Sequence, residues 1–247
     1  MDEHFRRIEF PLSIDEFHQL PRNAAYKYEY FDDKAVLTPR PKYFLCTLDL
    51  ATANVEADSD CEVVPVSLAE AATLESLFVM GLRNTQPFAS LTPEQATCSA
   101  TVVFRHMLRG KDGPIIEAAC FQALSNRDKT PIGALFVTLV PKALLTEPFA
   151  ANWREPPPPD AIEQRLGVPH LTWVFVAPRF ARQGIATTLL ATAIPALRQL
   201  GFDHLVSTFL LDNGPSTVWH WRNGFQVLPQ MSVLRKEMRT TASELRS

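Results

Sequence analysis

The chain has 247 residues, 24 of them Lys or Arg against 27 Asp or Glu, a formal net charge of -3 and 46% apolar residues. It is therefore long enough to bury a full core, and it has neither the composition of a disordered chain nor the basic excess that nucleic-acid binding requires. No apolar run approaches the roughly 18 residues of a membrane span, the opening MDEHFRRIEF has no signal core, and Cys46, Cys61, Cys98 and Cys120 show no ligand spacing; a cytoplasmic protein without metal site or disulfide frame is expected.

Residues 1–55 read as an N-terminal extension. IDEFHQL suits one or two helical turns, and YKYEYFDD and KAVLTPRP suit two strands joined at Asp32 and Asp33, with Tyr26, Tyr28 and Tyr30 on one packed face. KYFLCTLDL is a further strand of this extension, and ATANVEADSDC is a polar linker into a main domain over residues 56–247.

That domain opens with the strand CEVVPVSL, after which Ser67 and Glu70 have the spacing of a capping box for the helix AEAATLESLFVMGL. Thr92, Pro93 and Gln95 start a second helix that runs to Leu108. IIEAACFQAL and IGALFVTLV, separated by the polar SNRDKTP, suit an antiparallel pair of strands. Residues 141–169 are irregular and include four consecutive prolines at 156–159, a stiff stretch that fits a surface loop or a cover over a neighbouring site.

Residues 171–176, LTWVFV, form a short buried strand, which Pro178 ends. A turn with Arg179 and Arg182 follows, then Gly184, Ala186 and a helix with Ile185, Leu189, Ala193 and Leu197 on one face. Strand, short basic turn and small-residue helix start together expose unpaired N–H groups and the positive helix end, a geometry that holds phosphate. Pro195 should kink this helix late. HLVSTFLLD is the next strand, a helix starts after Asn213, and FQVLP with MSVLRKEM forms a closing pair of strands before a frayed tail.

The frame Ala181, Arg182, Gln183, Gly184, Ile185, Ala186 resembles motif A of the GNAT superfamily of N-acetyltransferases: Gln or Arg, two residues, Gly, one residue, then Gly or Ala. Downstream, NGPSTVWHWRNGF resembles the family's motif B, with Asn213, Ser216, Gly224 and Phe225 at the family's spacings. There are two departures. Ala181 replaces the usual Arg or Gln, leaving Arg182 and Gln183 as the side chains on offer, and His220 stands where the family usually has Tyr.

The resemblance implies a mixed α/β fold, with a mostly antiparallel central sheet flanked by helices and two parallel neighbouring strands that splay apart at its centre. It implies acetyl-CoA as co-substrate and no metal. Pantetheine would pair with the backbone of Val174, Phe175 and Val176, and the pyrophosphate would lie on Arg182, Gln183, Gly184, Ile185, Ala186 and Thr187, with Asn213 beside the cofactor. His220 takes the place of the Tyr that protonates the departing thiolate, and its ordinary pKa near about 6.5 suits that task. No Asp or Glu lies between Val168 and Ala177, so His170 is the leading base, Glu117 a weaker one, and His106 and His204 structural. The function implied is acyl-CoA-dependent N-acyl transfer, acetyl foremost, by direct attack of a primary amine on a small molecule or peptide. No nucleic-acid or membrane partner is implied, and a homodimer is one option for assembly. The alternative is a non-catalytic acyl-CoA-binding or sensor domain, favoured by the missing Tyr, Ala181 and the absent strand carboxylate. A dinucleotide-binding oxidoreductase is disfavoured because no GxGxxG is present.

Overall fold

A computed structural model of the chain describes residues 8–21, 26–39, 43–83, 85, 88–145, 153–210 and 213–228. The strand expected at 231–238, the tail, and most of the loop at 84–88 lie outside the described residues.

The first strands are β1 (Ile8–Pro11), β2 (Tyr26–Phe31) and β3 (Lys34–Pro39), which form an antiparallel sheet in the order β1-β3-β2. Asp32 and Asp33, at φ 48° and 55°, make the two-residue turn whose twist matches a hairpin. Helix α1 (Ile14–Gln19) starts at a capping box of Ser13 and Glu16. Phe17 of α1 packs on the Tyr30 ring at 5.3 Å, and the Tyr30 hydroxyl donates to the Leu12 carbonyl at 2.8 Å. Tyr30 thus holds the helix to the hairpin, and the Tyr28 hydroxyl donates to the Pro21 carbonyl at 3.1 Å.

The central sheet contains β4 (Tyr43–Asp49), β5 (Glu62–Pro65), β6 (Phe121–Leu124), β7 (Pro131–Pro141), β8 (Gly167–Val176), β9 (His204–Leu210) and β10 (Gln226–Val227). Its order is β10-β4-β9-β8-β7-β6-β5, antiparallel throughout except for β8 beside β9. Helices α2 (Glu75–Leu82) and α3 (Pro93–Leu108) cover one face, while α4 (Ile185–Gln199) and α5 (Gly214–Arg222) are associated with the other. The two-residue repeat of β7 supplies both cores. Leu135, Val137 and Leu139 meet Leu189, Ala193 and Leu197, whereas Ala134 and Phe136 meet Phe78 and Phe104. The expected mixed α/β class is the one observed.

Several local expectations change. The strand at 43–49, expected in the N-terminal extension, sits inside the central sheet between β9 and β10, so the expected division at residue 55 does not follow the sheet. Leu45 is buried on one face of β4 and Cys46 and Leu48 on the other, the pattern of an interior strand. β10 pairs with β4. Ser67 caps no helix: a 3-10 turn at Ala71–Leu74 precedes α2, and neither start has a side-chain cap. The stretch expected as one strand at 115–124 contains a 3-10 turn at Glu117–Ala119, leaving β6 only its last four residues. The capping box of Thr92 and Gln95 at α3 forms as the sequence suggests.

Candidate functional site

Strands β8 and β9 are paired through only two parallel contacts, His170 with Val206 and Leu171 with Ser207. Beyond Leu171, β8 continues its pairing with β7 to Val176 while its pairing with β9 has ended. The result is a fork closed at Leu171 and Ser207. Ala177 donates its N–H to the Ile132 carbonyl at 2.7 Å, so the alternation of an antiparallel ladder directs Phe175 to β7 and turns the N–H and C=O of Val174 and Val176 into the fork. Of the three residues expected to pair with pantetheine, Phe175 is therefore not placed to do so: its side chain is also buried, in the cluster with Phe78.

A bulge lies at the closed end of the fork. Phe136 pairs with Trp173 and Val137 with Leu171, leaving Thr172 without a partner on β7. The extra residue breaks the alternation of faces. Leu171 and Val174 pack toward α4, whereas Thr172 and Trp173, although consecutive, both turn to the α2 and α3 side, where Thr172 meets Thr138 and Trp173 meets Phe78.

At the open end, the chain leaves β8 through a 3-10 turn at Pro178–Phe180 and enters α4 with Gly184 as its N-cap in the left-handed region, φ 75°. Any side chain there is excluded, because an added Cβ would lie 2.0 Å from the Asp58 carbonyl oxygen. Among the described residues, no group accepts from the backbone N–H groups of residues 182–187. With the helix N-terminus behind them, they can hold an anion. Gln183 Nε2 donates one of its two hydrogens to the Arg179 carbonyl at 3.2 Å. Thr187 accepts from the Trp219 indole at 3.2 Å, which ties α5 to this turn.

The polar stretch at 51–61, read as a linker, is strapped along α4. Arg198 donates to the carbonyls of Leu50 and Ala53, Asp58 donates its N–H to Thr188 Oγ1 at 3.0 Å, and Asn126 donates to the Asp60 carbonyl at 2.9 Å. Asp58 was not among the residues singled out in the sequence, because nothing in a polar run signals the backbone that it will touch.

His220 is buried, 5% exposed, with its ring stacked on Phe209 at 4.5 Å and edged by Trp219 and Phe225. Nδ1 lies 2.7 Å from the Ser216 carbonyl, which can only accept, so Nδ1 carries the proton. Nε2 is then bare and accepts from Ser207 Oγ at 2.8 Å. Burial pushes the His220 pKa down to about 4, the Ser216 carbonyl opposing it only in part. The expected acid role does not suit this arrangement: the ring is neutral at neutral pH, and its one proton belongs to a helix carbonyl. Asn213 is similarly occupied, its side chain accepting from the Ser216 N–H at 3.2 Å as the N-cap of α5. The Gly-Phe element closes the same helix. Gly224, at φ 83°, and Phe225 send their N–H groups back to the Trp221 and His220 carbonyls.

His170 is partly buried at the closed end of the fork, in a chain of hydrogen bonds that crosses three strands. Thr138 Oγ1 and Thr172 Oγ1 are 2.8 Å apart, Thr172 Oγ1 is 3.1 Å from His170 Nδ1, and His170 Nε2 meets Thr208 Oγ1. Either imidazole tautomer satisfies this chain. Burial, and then the neighbouring His220, lower the His170 pKa to about 4, so the ring is neutral near neutral pH and a weak base there. Glu117 lies away from this chain on its 3-10 turn and accepts from the Leu68 N–H at 3.3 Å.

A forked parallel pair inside a mostly antiparallel sheet, with a helix start able to hold an anion below its open end, is the arrangement that the sequence resemblance implies. Residues 106–225 match the model of the Acetyltransferase (GNAT) family, and the chain carries a GNAT acetyltransferase domain. Solved structures similar to it include a PaiA N-acetyltransferase from Thermoplasma acidophilum in complex with coenzyme A, at 15% identity and a TM-score of 0.48, covering 68% of this chain and 90% of that one. An aminoglycoside antibiotic 6'-N-acetyltransferase from Acinetobacter baumannii is similar at 17% identity and a TM-score of 0.40, covering 68% of this chain and 91% of that one. No curated protein matches the chain.

Proposed function

We propose that this chain transfers an acyl group, acetyl from acetyl-CoA, to a primary amine by direct attack. The observation that carries this reading is the fork itself: β8 offers the N–H groups of Val174 and Val176 along an edge that β9 has left, above a turn whose N–H groups have no acceptor among the described residues. Acetyl-CoA, when bound, supplies the activated thioester. Residues 182–187 hold its pyrophosphate, and an amide of Val174 or Val176 donates to the thioester carbonyl as charge builds on that oxygen.

The amine reaches the fork as an ammonium and must lose a proton before attack. Both nitrogens of His170 are occupied by Thr172 and Thr208 and its pKa is about 4, so the imidazole takes the proton only transiently, through a threonine hydroxyl, and passes it on to solvent. His220 supports Ser207 at the end of the fork and leaves the thiolate to depart without a protein acid. One specific observation favours a second reading, a non-catalytic acyl-CoA sensor: both histidines are held neutral by burial, and no carboxylate stands on the fork strands in their place. Thiol release from acetyl-CoA with a panel of primary amines separates the two. Release with at least one amine supports transfer, and saturable acetyl-CoA binding with no release on any amine supports the sensor.

A further inference from the structure

Among the described residues, the indole Nε1 of Trp173 is the only buried side-chain nitrogen or oxygen without a hydrogen-bond partner. Buried donors are almost always paired, and an indole N–H can do nothing but donate. The bulge explains how the group came to be stranded. It turns Trp173 onto the α2 and α3 side, where the ring meets Phe78 edge-on at 5.0 Å and 86°, among the apolar side chains of Phe104, Phe136 and Phe175. The residue as a whole is nevertheless only partly buried, while the nitrogen itself is covered, so a ligand reaches it only where the neighbouring side chains give way. Its neighbour on the same face is Thr172, the hydroxyl that links to His170. The α4 turn expected to take the phosphates lies on the opposite face, to which Val174 and Val176 belong.

We propose that the Trp173 indole N–H binds an oxygen of the acyl acceptor, and that the acceptor is accordingly an amine with a hydroxyl or carbonyl oxygen close to its nitrogen, as in amino alcohols and amino sugars, rather than a plain alkylamine. This rests on the acyltransferase reading above and narrows its substrate class. A site with a buried donor discriminates against an analogue that leaves the donor unpaired, so the missing oxygen costs more than its contact area implies.

The test uses two matched pairs of probes, ethanolamine with ethylamine and 2-amino-1-phenylethanol with 2-phenylethylamine. Thiol release from acetyl-CoA is compared in the full chain and in Trp173→Phe, which keeps an aromatic ring against Phe78 and removes the N–H. The expected result is a preference of about tenfold in kcat/KM for the hydroxylated member, the order of effect of one unpaired buried donor, falling to near unity in the variant through loss on that member alone. Because the variant sees the same amines, its ratio controls for their different basicities. No preference in the parent chain, or a preference that survives in Trp173→Phe, overturns the proposal. Where none of the four probes is turned over, the Trp173 indole N–H resonance, identified by its absence in the variant, is followed in titrations with the same amines and CoA. A shift with the hydroxylated members only supports the proposal, and a resonance unmoved by all four overturns it. Failure of acetyl-CoA to raise the Tm is a different result, which removes the acyltransferase reading itself.

Discussion

Ser207 Oγ donates to His220 Nε2 at 2.8 Å, joining β9 to α5 where the fork closes. The proton on the other ring nitrogen goes to the Ser216 carbonyl, and on the reading proposed above His220 braces the site rather than protonating a leaving group. His220→Phe keeps the stacking on Phe209 but removes the acceptor of the Ser207 hydroxyl, leaving it the Leu171 carbonyl at 3.5 Å. It should lower unfolding stability by about 1–3 kcal/mol while acyl transfer stays within roughly threefold. Urea unfolding and thiol release on the same variant check this; a hundredfold loss of kcat at unchanged stability would restore the acid role.

The two histidines also set a pH dependence. Each is depressed to about 4 in the folded chain, against about 6.5 when unfolded. Between those values the unfolded chain binds more protons. Stability is therefore fully present above about pH 6.5, declines as pH falls toward about 4, and has no further slope from these groups below that. For the buried His220 the loss is on the order of 3 kcal/mol at most. Unfolding curves at pH 7, 5.5 and 4.5 should show a shallower decline in His220→Phe than in the parent chain, and equal slopes would contradict the burial argument.

Arg182 occupies the left-handed region at φ 62°, a conformation that costs a residue with a side chain about 1 kcal/mol. Arg182→Gly should therefore leave the Tm of the free protein unchanged or slightly higher, yet weaken acetyl-CoA binding about tenfold by removing a cation from the phosphate turn. Calorimetric titration with parallel thermal unfolding reads both. Equal affinity would detach the guanidinium from the phosphate site.

Gly184→Ala behaves differently. The new Cβ meets the Asp58 backbone and keeps a positive φ, so the variant should lose about 2 kcal/mol or more of stability before any ligand is added. Loss of acetyl-CoA binding in it reports a displaced strap as much as a blocked phosphate. Wild-type stability in this variant would mean that the 51–61 strap is not held against the turn.

Much of the site was legible because its signals are local. Gly184 and Gly224 each mark a left-handed backbone beside a helix end, Asp32 and Asp33 mark a hairpin, and the capping box of Thr92 and Gln95 needs only three residues of spacing. What was not legible depends on partners far away in the chain. The place of β4 in the sheet follows from pairing with residues 204–210, which no window around residue 46 contains. The bulge at Thr172 is a shift of register against β7, and it puts Thr172 and Trp173 on one face. His220 stands where the motif places it, but its neutral state follows from burial against Phe209 and Phe225, packing that no motif announces.

The most direct measurement is thermal unfolding of the full chain with and without acetyl-CoA. A ligand that binds the folded chain alone, at a hundredfold excess over its Kd, adds about 2.7 kcal/mol, so a Tm raised by several degrees is the expected result, with a smaller rise in Arg182→Gly. A Tm unmoved by saturating acetyl-CoA would contradict an open fork above a working phosphate turn.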